Sequence, residues 1–137
     1  MSISNYAEKL LLDYALSTTA VVRPTAWYVQ LHTTDPTDTG TADTPPTVIS
    51  GDYARKTLGA TGMSPAVIGA TTTSSNPAVI SWTADATAAT YTITYVSIWD
   101  AVTAGNMLFS GALALPETVV AGGVITLSIG KLVAALD

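Results

Sequence analysis

The sequence predicts a mainly β chain: a single β-sandwich or jelly-roll-like domain with one N-terminal α-helix. Three observations lead there. Short stretches of alternating apolar and polar residues recur at roughly 8 to 12 residues, with turn-forming residues between them, as in all-β sandwiches and barrels. Helical periodicity is confined to the N-terminus, which argues against the repeated crossover helices of a βαβ arrangement. The 137 residues are one domain's worth, enough to bury about two thirds of the unfolded surface around one core. The expected organisation is one domain over residues 1–137, with the helix at 4–16 and the β-sandwich at 25–137.

Ser4 or Asn5 can cap the helix, and Glu8 stands three residues after Asn5 at capping-box spacing. Ile3, Tyr6, Leu10 and Tyr14 then fall on one helical stripe with Ala7 and Leu11. Ser17 to Thr19 and the β-branched Val21 and Val22 before Pro24 end it near Leu16. A helix this short is marginal alone and has to dock, on its own domain or on a neighbour.

Thr25 to Thr33 reads as a strand with Trp27, Val29 and Leu31 on the core face and Tyr28, Gln30 and His32 opposite, toward solvent or an interface. Thr34 to Pro46 is rich in Asp, Thr, Gly and Pro and reads as a surface loop. A short strand is expected within Val48 to Ala60, and irregular chain with one short edge strand from Gly59 to Asn76. Pro77 to Thr83 alternates again, with Ile80 and Trp82 on one face.

The centre of the core is expected at Tyr91 to Leu115. Tyr91, Ile93 and Tyr95 alternate with threonines, and the alternation then closes up into Val96, Ile98 and Trp99, as for a strand covered on both faces. Gly105 and Asn106 supply turn chemistry, and Met107, Phe109, Leu113 and Leu115 resume the alternation as an antiparallel partner. After a turn at Gly122-Gly123, Val124 to Val133 alternates, and Gly130 marks a bulge or close approach before Leu132 to Leu136.

Composition excludes several functions. Five basic residues against ten acidic ones give a net charge of -5, so there is no cationic stripe for nucleic acid. The chain has no cysteine, which removes disulfides and zinc-thiolate sites. No apolar run is long enough to span a bilayer. The glycines match neither a phosphate-binding loop nor a dinucleotide fingerprint. His32 is the lone histidine, which rules out a histidine metal cluster and leaves a catalytic triad a single possible anchor. Asp35, Asp38, Asp43 and Asp52 could in principle ligate calcium, but they lack EF-hand spacing and suit turn capping better. No catalytic, cofactor or metal site is expected.

The mean hydropathy of +0.40 is high for a small soluble monomer. Either an Ala- and Val-rich core is crowded, or apolar surface is covered by a partner. The candidate docking residues are Ile3, Tyr6, Leu10 and Tyr14 on the helix stripe, Asp35 and Asp38 in the loop, and Arg55 with Lys56. The last two alternatively solvate an edge strand.

Ser4 to Glu8, Leu10 to Asp13, Trp27 to Leu31, Thr34 to Asp38, Tyr53 to Arg55, Val96 to Ala101, Gly105 to Leu113 and Leu136-Asp137 together resemble a family of small tailed-bacteriophage virion proteins, often labelled tail fibre proteins. That resemblance implies a virion component without enzymatic activity; with Glu8, Lys9 and Asp13 among the first leucines and no spanning run, folding in the host cytoplasm before assembly is expected. A long fibre shaft needs a visible repeat, and none is present. A compact domain suits a head decoration (cement) protein bound to the major capsid protein and to copies of itself. The alternative is a tail-associated fibre or receptor-binding module, meeting tail proteins or a host cell-surface glycan.

Overall fold

A computed structural model describes residues 1–41, 54–59 and 61–136. In chain order the elements are β1 (Ser2–Ile3), α1 (Asn5–Leu16), β2 (Tyr28–His32), β3 (Lys56–Thr57), β4 (Thr72–Ser75), β5 (Ile80–Thr83), β6 (Tyr91–Trp99), β7 (Met107–Val119), β8 (Val124–Leu127) and β9 (Val133–Leu136). The chain is mainly β with one helix, as the sequence predicts. A five-stranded antiparallel sheet in the order β1-β7-β6-β2-β3 forms one layer. Two antiparallel pairs, β4-β9 and β5-β8, complete the fold. No described helix is long and apolar enough to cross a membrane.

Register explains how the two sheet faces differ. Val29 lies opposite Ile98 and Leu31 opposite Val96, so these four share one face. They join Ile80, Trp82, Ile125, Leu58 and Leu132 in a single buried cluster. Tyr28, Gln30 and His32 lie opposite Trp99, Ser97 and Tyr95 on the other face.

The helix begins where Ser4 accepts a hydrogen bond from the Ala7 amide at 3.2 Å and donates its own hydroxyl hydrogen to the Met107 carbonyl. One side chain thus caps α1 and fixes it to β7. The helix stops at Leu16, as expected from the threonines and β-branched residues beyond.

Strand β6 matches its expected bounds, but β7 runs on to Val119 and is irregular. Ile93 pairs with Glu117 and Tyr95 with Ala112, so Thr94 alone faces the four residues Leu113 to Pro116. Three extra residues bow outward there, the largest departure from the simple alternation expected. Leu115, expected to continue the inward series, is 81% exposed as a result. Ile129 is likewise exposed, because β8 ends at Leu127 and Gly130 turns the chain with φ +74. The strand expected within Val48 to Ala60 appears as Lys56–Thr57; residues 48–53 and 60 of that expectation lie outside the described residues.

Candidate functional site

The face of the large sheet that the sequence assigns to solvent or an interface is buried. His32 and Ser97 are inaccessible and Gln30 nearly so. The loop following β2 covers this face: Pro36 is buried, and Gly40 packs so closely on Trp99 that a Cβ would lie 2.9 Å from the ring. Beneath it Ser97 is a hub. Its Oγ accepts from Trp99 Nε1 at 2.7 Å and pairs with His32 Nε2 at 2.6 Å. The lone histidine is thus part of a packed polar network, which corrects its expected exposure. An alternating strand covered on both sides looks the same in sequence as one with a wet face, provided the second layer is polar.

Arg55 closes this network from outside. Its guanidinium stacks 3.6 Å above the Trp99 ring, donates to Gln30 Oε1, and donates to the Ala101 and Ala104 carbonyls at 2.8 and 2.6 Å. Arg55, expected to meet a partner or water, is therefore engaged within its own chain, and Arg55 and Lys56 enter at the β3 edge of the sheet. The planar fork explains the choice of arginine, since it stacks and hydrogen-bonds at once.

The other candidate docking residues divide by environment. Asp35 caps a turn, accepting from the Thr37 amide at 2.8 Å, which is the turn-capping role. Asp38 offers its backbone carbonyl to the Asn5 amide at the start of α1, and Asp38 and Tyr6 line a shallow polar cavity of about 240 Å³ with Asn106 and Thr39. Asp43 and Asp52 lie outside the described residues. Among the described residues no three carboxylate or imidazole groups gather as a metal site.

Ile3, Leu10 and Tyr14 come together. They line an apolar groove of about 450 Å³ between α1 and the segment Val21 to Pro24, floored by Phe109 and Leu136. Phe109 and Leu136 also line a second apolar cavity of about 200 Å³ between the layers, walled by Trp27, Met63 and Ile98. The two spaces are thus neighbours across the same two side chains. Arg23 stands at the groove, 5.4 Å from the Trp27 ring centre. The helical stripe pointed to Ile3, Tyr6, Leu10 and Tyr14, of which Tyr6 lines the cavity beside Asp38 instead; Phe109, Leu136 and Arg23 carried no comparable signal, because only the closed fold brings them to the helix.

A mainly β chain with apolar surface left open along one helix agrees with the virion structural proteins that its sequence resembles. The family model described as Podophage GP4 fiber I protein gp80 matches residues 2–135, nearly the whole chain, and the chain belongs to that family. No curated protein matches the sequence.

Proposed function

We propose that the protein is a non-enzymatic building block of the fibre apparatus of a phage particle, a compact joint or attachment module held by its apolar surfaces. The observation that carries this reading is the match to a fibre-protein family over residues 2–135. The geometry supports a contact role. The groove beside α1 is apolar and open, and Leu12, Tyr14, Leu16 and Val22 are all exposed around it or on the same helix and its exit. Burial of such surface is the general driving force of assembly. Its neighbours on this reading are tail proteins and copies of itself, and a host cell-surface glycan is the target if the module sits at a fibre tip.

Head decoration is the second reading, favoured by a compact fold with no repeat from which to build a shaft. There the partner is the major capsid protein, and binding to the assembled lattice alone would stabilise it by mass action. A cryo-electron microscopy reconstruction of the virion separates the two. Density for this fold at the tail, in low copy number, is the expected result; density repeated over the head lattice would replace the fibre reading with decoration.

A further inference from the structure

We propose that copies of this chain associate head to tail, the Leu115 bulge of one copy entering the apolar groove beside α1 of the next. The bulge is a built projection. Four residues, Leu113 to Pro116, stand opposite the single Thr94, and they present Leu115 at 81% exposure with Glu117 exposed two residues on. Such irregularities re-aim side chains and are costly to keep in a sheet without a use. The groove is the matching recess, lined by Leu10, Leu11, Tyr14 and Phe109 with Arg23 at its side.

Charge favours a second copy as the occupant. The projection carries an acid, Glu117, and the recess carries a base, Arg23. Among the described residues neither Glu117 nor Arg23 is paired with an opposite charge. Leu115 does not line the groove of its own chain and stands 81% exposed. A projection and a recess at different places on one molecule make a heterologous contact, which propagates into a ring or an open chain rather than closing as a two-fold dimer. This inference rests on the contact role proposed for the groove and specifies its self-contact, but does not depend on where in the particle the protein sits.

The test is sedimentation velocity of the full chain across a concentration series. The wild type is expected to form species larger than a dimer. Leu115→Asp, blocking the projection, and Leu11→Asp, blocking the recess, should each remain monomeric with unchanged circular dichroism. Mixed together they should give dimers and stop there, because one intact projection meets one intact recess. Arg23→Glu should weaken association about tenfold, and adding Glu117→Arg in the same chain should restore it. A wild type that stays monomeric at about 1 mM, or a mixture of the two blocked variants that gives no dimer, would overturn the proposal. If a leucine variant fails to fold, restoration by the charge exchange decides instead: failure to restore overturns it. None of these outcomes bears on where the protein sits in the virion, so the two readings fail separately.

Discussion

The guanidinium of Arg55 lies 3.6 Å above the ring of Trp99 while the indole nitrogen of the same ring donates to Ser97 at 2.7 Å. One residue just before the short edge strand β3 thereby locks the turn between β6 and β7 and the buried polar face of the sheet. Arg55→Ala should destabilise the fold by about 2 kcal/mol, combining a cation-π contact with hydrogen bonds from a charged donor. Arg55→Lys should recover little of this, because an ammonium cannot stack and reach both carbonyls together. Urea denaturation of the two variants checks both statements, and near-equal stability of Lys and Arg would refute the account.

The β6-β7 turn depends on a glycine in a way that another turn does not. Gly105 has φ +73, and a Cβ there would meet Asp100 Oδ1 at 2.4 Å, the atom that accepts the Asn106 amide at 2.7 Å. Gly105→Ala should cost about 2 kcal/mol or more, through both strain and the displaced carboxylate. Gly122 has φ +69 with open space around it, so Gly122→Ala should cost only the left-handed penalty of about 1 kcal/mol. The difference between their thermal unfolding midpoints measures the steric part.

Ser4→Ala removes two bonds at once, the cap on Ala7 and the tie to Met107. The expected loss is about 1–2 kcal/mol. Because α1 forms one wall of the apolar groove, hydrogen exchange should quicken along the first turn of the helix before global unfolding. Unchanged exchange there would show that the cap is dispensable.

Burial raises the pKa of Tyr91 above its ordinary value. The folded chain therefore keeps the phenolic proton when the unfolded chain has already lost it, and unfolding releases a proton in that range. This contribution is complete below about pH 10, the usual tyrosine value, and is lost as pH rises through the higher folded value. Stability should fall in alkali from about pH 10, and Tyr91→Phe should flatten that part of the profile. Parallel alkaline profiles for the two proteins would exclude the effect.

Local rules read much of this chain correctly. Helix α1 ends at Leu16 because threonines and β-branched residues follow it, and β6 occupies Tyr91–Trp99 because its alternation closes into an apolar run that turn residues stop. Ile80 and Trp82 point inward together, as period-two spacing requires. The class of protein was also legible, because motifs spread over the whole chain carried the resemblance to phage virion proteins that the family match over residues 2–135 upholds. The stripe Ile3, Tyr6, Leu10 and Tyr14 was visible as a helical face, but the groove that three of them line was not.

The sequence by itself determined the helix, most strands and the β class, since each depends on neighbours within a few positions. Only the tertiary structure decided that His32 is buried under the loop after β2, that Arg55 stacks on a tryptophan more than forty residues away in sequence, and that Leu115 is thrown outward. Such outcomes depend on which strands lie side by side and on how many residues each contributes between two matched pairs. Register is a relation between distant segments, and no single segment encodes it.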